Sequence, residues 1–341
     1  MPYPAIGQVR LYLRVKQRPF AEHLHPRDGR GRFATTPGNS TDPLLERIRA
    51  GVARPSRATR SQPRFDEEEY GLVFRDGNEE RVAQAYKANV VRSLARGMRD
   101  VPDDELLGEH DLARLTGVQG GSARPFLDPA TGMLRTAGPG SPPPQPSWQS
   151  ITPEAARDLL RTEVVNRMVA NWAMTSNDEH AESLALQETA RDFIGLQPTA
   201  DWPTVDHLRQ EVADHRAAHG PAMEALLRGM WADTQTHLAE ADLGSLTIWR
   251  GIRTPDGRPP AEWSADGSTL DNPPMRPLSA FSLDPDVAHQ FATEGGPGIV
   301  ISAIVPAGRI IATPVTGIGC LDEAEVVLLA GPGTWHWQPG E

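Results

Sequence analysis

Two glutamates near the carboxyl end of the chain have a spacing that suits acid–base chemistry. Glu323 and Glu325 flank one alanine and precede the apolar run Val-Val-Leu-Leu. Such a run predicts a buried central strand, on which alternate residues share a face and lie about 7 Å apart at ~3.4 Å per residue. Two like charges so placed raise the pKa of one carboxyl group, as acid and base pairs require. The competing interpretation is a polar strand entrance.

A second charged position, Arg250, ends a run of alternating residues. Leu246, Ile248 and Arg250 share one face of the strand predicted over residues 246–251, so the arginine ends a core-facing row. A guanidinium that is buried without a partner is very costly. Arg250 is therefore either a surface charge or a side chain that emerges into a cleft and meets an anionic group.

Between these two segments, Ser279 and Ser282 lie on a predicted strand that runs directly into a helix. Asp284 is the predicted N-cap, and Pro285 and Asp286 occupy the first helical turn. This combination is a strong local signal for a helix start. We expect the helix to cover residues 285–293.

The elements around these positions change type near residue 244. Beyond it, short β-rich runs alternate with Gly and Pro turns at residues 246–251, 298–305, 309–312, 323–329 and 334–337. Before it, three helical regions are predicted; the first is capped by Thr152 and Pro153, and the third begins near Pro221. Helices first and strands later predict an α+β fold rather than a doubly wound one.

The amino-terminal part differs in charge from the rest of the chain. Residues 1–60 hold 12 Lys and Arg against 4 Asp and Glu, a balance of +8, whereas the remaining residues carry −19. This basic stretch lacks sustained periodicity, so we expect a disordered arm that is either solvated or in contact with nucleic acid or an acidic partner. The acidic remainder argues against a nucleic-acid-binding body.

Residues 61–147 form a predicted helical region that ends in a proline-rich linker. Val82, Tyr86, Val90 and Leu94 recur every four residues and predict the buried face of a helix. Residues 118–147 are rich in turns, and the Pro-Pro-Pro-Gln-Pro stretch at 142–146 predicts a stiff, extended link. We therefore expect a domain boundary at residue 147.

Several classes of site are disfavoured by the residues present. Cys320 is the single cysteine, which excludes an intrachain disulfide framework and a thiolate metal site. His215 and His219 have helical spacing but no evident third ligand, so no metal is expected. The chain shows no secretory signal over residues 1–20, no apolar run long enough to span a bilayer, and no glycine-rich dinucleotide motif.

The arginine, serine and glutamate segments resemble, in order and spacing, the Arg, Ser-Thr-Ser, Glu-x-Glu motifs of the arginine-type mono-ADP-ribosyltransferases. This family contains bacterial toxins, phage enzymes and eukaryotic transferases. The resemblance covers about residues 244–341 and includes the Asp-Pro-Asp-Val-Ala helix start and the Ile-Val-Pro-Ala-Gly strand end at 304–308. It implies a split antiparallel β-sheet with NAD+ in the cleft, in a domain over 148–341 with a helical part at 148–243 and an NAD-binding core at 244–341.

The resemblance also implies which residues hold NAD+. Arg250, with Gly251 beside it, would bind an NAD+ phosphate, and Ser279, Phe281 and Ser282 would form the pocket for the nicotinamide and its ribose. Arginine suits a diphosphate because its fork of donors stays charged. This chain departs from the family pattern because Ala280 and Phe281 stand where the first serine and the threonine are expected.

By the same resemblance, Glu325 is the catalytic glutamate and Glu323 orients the acceptor. Loss of nicotinamide develops positive charge on the ribose, which a carboxylate in place stabilises more in the transition state than in the ground state. A guanidinium acceptor is a poor nucleophile, so a second carboxylate has a task in removing its proton. The implied reaction uses NAD+ as a substrate, needs no metal and modifies an arginine of a protein acceptor.

Two other functions remain open on the sequence. The first is an NAD+ glycohydrolase on the same fold. The second is a noncatalytic phage structural protein, because the basic segment at residues 25–33 is similar to segments of tailed-phage head-associated proteins. These interpretations place the protein in the cytoplasm of a bacterial host, with phage virion or head proteins as partners of the amino-terminal arm and no membrane association.

Overall fold

The computed structural model describes residues 43–53, 79–175, 180–197, 208–260, 263, 265–271, 273, 275–320 and 323–340. All of them belong to one compact unit, Ser40–Glu341. Most of the predicted basic arm, including the phage-like segment at residues 25–33, lies outside the described residues. None of the described helices is both long enough and apolar enough to cross a bilayer.

Eight α-helices lie within the described residues, and two of them begin at the predicted capping residues. They are α1 Pro43–Val52, α2 Glu79–Gly97, α3 Asp103–Leu106, α4 Glu109–Gln119, α5 Pro153–Thr175, α6 Ala181–Ile194, α7 Arg209–Glu240 and α8 Pro285–Thr293. Both predicted caps are confirmed: Thr152 Oγ1 accepts a hydrogen bond from the Ala155 N–H at 3.2 Å, and Asp284 accepts one from the Asp286 N–H at 2.8 Å. These side chains satisfy backbone donors that the first helical turn leaves unpaired.

Two helices differ from the sequence prediction. Helix α7 begins at Arg209 rather than near Pro221, which lies inside it. A proline inside a helix removes one backbone hydrogen-bond donor. Burial of residues such as Leu226 and Met230 outweighs that loss. Helix α1 lies within the stretch predicted as a disordered arm. It packs because Ile48 is completely buried.

The strands form two sheets in which all neighbouring strands are antiparallel. Strands β1 Arg124–Asp128, β2 Met133–Ala137 and β3 Gln149–Ser150 form a small sheet in the order β2-β1-β3. The larger sheet has the order β5-β6-β11-β8-β4-β7-β10-β9. Its strands are β4 Ser245–Arg253, β5 Ala265–Asp266, β6 Thr269–Asp271, β7 Leu278–Ser282, β8 Gly298–Pro306, β9 Ile310–Ala312, β10 Glu325–Leu329 and β11 Thr334–Pro339. The predicted α+β class is confirmed.

The boundary expected at residue 147 does not separate two packed bodies in the described part of the chain. Helix α2 packs on α5 and α7, and the predicted stripe is confirmed at Val90 and Leu94, which are buried; the Val82 and Tyr86 side chains lie outside the described residues. The β1–β2 hairpin also replaces part of the turn-rich region and packs on α5. The helical region at 61–147 thus shares its core with the rest.

The faces of the large sheet bury different partners. Leu246 and Ile248 belong to the main core, while Trp249 packs with Val300 and with Ala288 and Ala292 of α8. Alternate residues of β4 therefore face opposite sides, as a strand requires. Arg250 follows the core-facing row and is only partly buried, which fits a charge at the mouth of that row.

Candidate functional site

The large sheet is held together at its middle by a single residue pair. Strand β4 pairs with β8 at nine positions, from Ser245 to Arg253. On its other side, β4 pairs with β7 only between Trp249 and Ser282. The sheet therefore consists of two parts, β5-β6-β11-β8-β4 and β7-β10-β9, which are joined at that pair. Ser282 and Glu325, two of the predicted site residues, lie at this junction.

Glu325 lies at the junction as the first residue of β10. It pairs across the strands with Ser282, the last residue of β7. Its side chain is 4% exposed, and Oε2 accepts a hydrogen bond from the Cys320 N–H at 2.7 Å. The Glu325 N–H in turn donates to the Cys320 carbonyl at 2.9 Å. A reciprocal pair of bonds thus fixes both the backbone and the carboxylate of Glu325.

Glu323 does not lie on the strand, contrary to the prediction. Residues 323 and 324 form a turn before β10, and Ala324 has a φ of 46°. A left-handed residue breaks the alternation of a strand, so the two glutamates do not share one strand face. Glu323 is exposed whereas Glu325 is buried. Left-handed backbone at a residue with a Cβ costs about 1–2 kcal/mol and is often found at functional sites.

Ser282 and Leu283 hold this turn in place. The Ser282 hydroxyl donates to the Glu323 carbonyl at 2.8 Å and accepts from the Asp284 N–H at 2.9 Å. The Leu283 N–H donates to the Ala324 carbonyl at 2.9 Å. The end of β7 is therefore tied on one side to the glutamate turn and on the other to the start of α8. In this arrangement Ser282 positions the glutamates.

Arg250 stands beside the same junction, over an aromatic ring. Its guanidinium carbon lies 5.7 Å from the centroid of Phe281, and the Phe281 ring stacks on Trp335 with centroids 5.1 Å apart. Phe281 and Ser282 are neighbours on β7, and successive strand residues face opposite sides, so Phe281 faces away from Ser282. The buried Trp335 Nε1 has no hydrogen-bond partner among the described residues. The Arg250–Phe281–Trp335 stack therefore lies on the sheet face opposite Ser282 and Glu325.

Two predicted NAD-binding residues have other contacts in the structure. The Ser279 hydroxyl bonds the Arg276 backbone, at 3.1 Å to its N–H and 3.2 Å to its carbonyl, and so closes a turn at the far end of β7. A Cβ on Gly251 would lie 2.0 Å from the Ala288 carbonyl oxygen. Gly251 thus allows α8 to approach β4 closely. Of the predicted residues, the structure brings together Ser282, Glu323 and Glu325 at the junction, whereas Arg250 and Phe281 contact each other on the opposite face.

A shallow, open cavity of about 620 Å³ lies at another edge of the sheet. It is lined by Asp256, Gly257, Arg258, Pro297, Trp337, Pro339 and Gly340. Neither glutamate lines this cavity, so its size does not identify the chemistry. Trp337 donates from Nε1 to the Gly267 carbonyl at 2.9 Å, whereas Trp335 is fully buried.

The histidine pair on α7 has no metal-site geometry. His215 and His219 have ring centroids 6.2 Å apart, and His215 lies 3.6 Å from Glu182. Burial, together with the charges of His215 and Arg167, lowers the pKa of His219. Within the described ranges, no three His, Cys, Asp or Glu side chains form a metal-binding group.

Sequence reasoning missed the loop that leads into the glutamates. Its Cys320 N–H holds Glu325, and Gly319 is packed so tightly that a Cβ would lie 2.3 Å from the Thr313 carbonyl oxygen. The glycines at 317 and 319 were the available signal, because glycine permits close backbone approach. Backbone donors carry no side-chain signal, which is why the role of Cys320 was not predicted.

Comparison with known proteins adds no relative to these observations. No family model matches the chain, and neither the curated proteins nor the solved structures include a significant match.

Proposed function

We propose that this protein is a mono-ADP-ribosyltransferase that cleaves NAD+ and transfers ADP-ribose to an arginine of a protein acceptor. The observation that carries the proposal is the placement of Glu325. It is a buried carboxylate at the first position of β10, held by the Cys320 N–H at 2.7 Å and directly opposite Ser282. The single β4–β7 pair next to it leaves a division in the sheet, which supports the split-sheet fold expected of this family.

Glu325 would stabilise the transition state for nicotinamide loss. The bond between ribose C1′ and the nicotinamide nitrogen breaks, nicotinamide leaves with the electron pair, and positive charge develops on the ribose. A carboxylate already oriented by Cys320 can accept a hydrogen bond from the ribose 2′-hydroxyl without reorganising. Low exposure strengthens its electrostatic effect, since water no longer screens it.

Arg250 would bind the diphosphate of NAD+. Its guanidinium is partly exposed and lies over the Phe281 ring at 5.7 Å, and such cation–π contact limits the orientations of the side chain. An arginine held in this way offers several donors to phosphate oxygens. The Phe281–Trp335 stack is itself buried, so it supports the Arg250 guanidinium from the core side.

Glu323 would act on the acceptor. It is exposed on the turn before β10, while its backbone carbonyl is held by Ser282. An exposed carboxylate beside the reacting ribose can orient an incoming guanidinium and take up the proton that is released when its nitrogen bonds C1′. The left-handed Ala324 separates the two carboxylates into a buried and an exposed environment, which suits two different tasks.

The test is incubation of the purified full chain with labelled NAD+ and a bacterial lysate, followed by measurement of labelled protein and of released nicotinamide. Glu325→Gln should lower both by about 10³-fold, the size typical of losing one preorganised group. Glu163→Gln is the matched control, because Glu163 is another largely buried glutamate that accepts a backbone N–H, from Leu134 at 2.7 Å. Glu163→Gln should retain the wild-type rate; equal activity of both variants would overturn the proposal.

Glu323→Gln separates transfer from hydrolysis. We expect loss of label on protein with nicotinamide release retained, and the exposed Glu240→Gln should change neither. Label that is competed by a free arginine ester would establish the acceptor type. Nicotinamide release by wild type without protein labelling would instead identify an NAD+ glycohydrolase. Absence of both products from a folded protein would favour the structural phage protein.

A further inference from the structure

Three buried threonines connect helix α7 with the loop that carries the glutamates. Thr234 of α7 is 0% exposed, as is Thr313, and Thr316 is 4% exposed. The Thr234 hydroxyl lies 2.9 Å from the Ile311 carbonyl and 2.7 Å from the Thr316 hydroxyl. The Thr316 hydroxyl also lies 2.9 Å from the Thr313 hydroxyl. Together these bonds form a cluster between α7 and the start of the segment at residues 313–320.

Proton counting fixes the direction of every bond in the cluster. Thr234 has one hydroxyl proton, and a carbonyl can only accept, so Thr234 donates to Ile311 and accepts from Thr316. Thr316 has then used its own proton, so Thr313 must donate to it. Thr316 also accepts from the Thr313 N–H at 3.1 Å. The result is one directed chain in which each hydroxyl donates once, and such chains are cooperative.

The loop beyond the cluster is packed closely as it approaches Glu325. Gly317 has a φ of 62°, and a Cβ on it would lie 2.8 Å from the Ala312 Cβ. A Cβ on Gly319 would lie 2.6 Å from the Glu325 carbonyl oxygen. The next residue, Cys320, donates its N–H to the Glu325 carboxylate. Tight contacts therefore run from Thr234 to Glu325, although α7 is remote in sequence.

We infer that Thr234 is a positioning residue, which sets the orientation of Glu325 through the Thr313–Thr316 turn and the Cys320 N–H. This inference rests on the proposed function for its catalytic consequence. Without the Thr234 hydroxyl, the Thr313–Thr316 bond can use only one of the two remaining hydroxyl protons, so the other is buried with no acceptor within the cluster, which is unfavourable. The turn then shifts to satisfy that donor, and the Cys320 N–H moves with it.

The first test is the steady-state rate of NAD+ cleavage by Thr234→Val, which keeps the shape of the side chain but removes the hydroxyl. We expect kcat to fall about tenfold, because small misplacement of a catalytic group is costly, with KM for NAD+ nearly unchanged. Thr234→Ser restores the hydroxyl and should restore kcat. The matched control is Thr189→Val, since Thr189 is buried on α6 and, among the described residues, bonds its own helix carbonyl and a methionine sulfur but no residue of the cluster.

The second test uses Cys320 as a reporter that needs no NAD+. It is the single cysteine and is partly exposed, so the rate of thiol modification reports on the loop alone. Thr234→Val should raise this rate severalfold, whereas Thr234→Ser and Thr189→Val should match wild type. Thr316→Val breaks the chain from the loop side and should give the same changes, which covers the case in which Thr234→Val does not fold.

The outcomes separate this inference from the proposed function. A wild-type kcat in Thr234→Val, or a loss of kcat that Thr234→Ser does not restore, would overturn the positioning role while leaving the transferase intact. A wild-type protein that neither labels acceptors nor releases nicotinamide would overturn the proposed function. In that case the thiol rate still decides whether Thr234 controls the loop, and an unchanged rate would reject the inference.

Discussion

The two ends of strand β10 are built in opposite ways. Beyond its carboxyl end, the fully buried Arg309 donates to the carbonyl oxygens of Leu329, Gly331 and Pro332 at 2.9 to 3.3 Å. At its beginning, Glu325 follows a left-handed alanine and an exposed glutamate. At the carboxyl end, the Arg309 guanidinium bonds the backbone carbonyls of the turn. At the beginning, the Glu325 carboxylate is held by a backbone N–H, that of Cys320.

The difference shows that the firmly bonded end of β10 lies opposite the end at which the proposed chemistry takes place. Burial lowers the pKa of Arg309 to about 10, yet the side chain is still charged near neutral pH and stays bonded to the turn after β10. Helix α1 covers this end, where a Cβ on Gly51 would lie 2.4 Å from the Gly308 carbonyl oxygen. A well-satisfied end can hold the register of β10 while the other end carries backbone strain.

The largest effect is expected at the rigid end. Arg309→Met leaves the buried Leu329 and Gly331 carbonyls and the partly buried Pro332 carbonyl without this donor, and should lower the free energy of unfolding by about 3 kcal/mol. Activity per folded molecule should change little. Urea denaturation followed by tryptophan fluorescence measures the first quantity, and Arg253→Met at an exposed position is the control. A loss below about 0.5 kcal/mol, the range of ordinary surface changes, would show that the Arg309 bonds are not stabilising.

A smaller effect is expected where β7 meets the glutamate turn. Ser282→Ala removes the bonds to the Glu323 carbonyl and from the Asp284 N–H, and should cost about 1 kcal/mol of stability and about tenfold in transfer. Ser279→Ala on the same strand also removes two bonds, both to the Arg276 backbone. It should lower stability by a similar amount without lowering the rate of transfer. If Ser279→Ala is the more damaging to transfer, the assignment of the two serines must be exchanged.

The smallest effect is expected at Ala324. Glycine adopts positive φ without the steric cost borne by alanine, so Ala324→Gly should change the free energy of unfolding by less than about 0.5 kcal/mol, because this relief offsets the unfolded-chain entropy and the loss of a buried methyl group. Ala330→Gly, just after the other end of β10, should lower it because a buried methyl group is lost. Both changes are measured by thermal denaturation. Destabilisation of equal size by both would mean that Ala324 is not strained.

Much of the fold could be predicted because its signals are local. The caps at Thr152 and Asp284, the helix at residues 285–293 and the strands around Arg250 each depend on residues within a few positions of one another. The small β1–β2 hairpin was missed because its turn residues fit a loop equally well. The start of α7 was missed because proline is a local stop signal, which burial over a long helix overrides.

The candidate site was predictable only in its parts. The sequence by itself determined the α+β class, the order of the arginine, serine and glutamate segments, and the placement of Arg250 at the end of a core-facing row. Tertiary structure alone decided that β4 and β7 share one pair, that β10 begins at Glu325 after a left-handed residue, and that Gly251 packs against α8. It also brought Thr234 to the glutamate loop. The physical reason is that pairing and close packing join residues far apart in the chain, and local propensity does not encode those contacts.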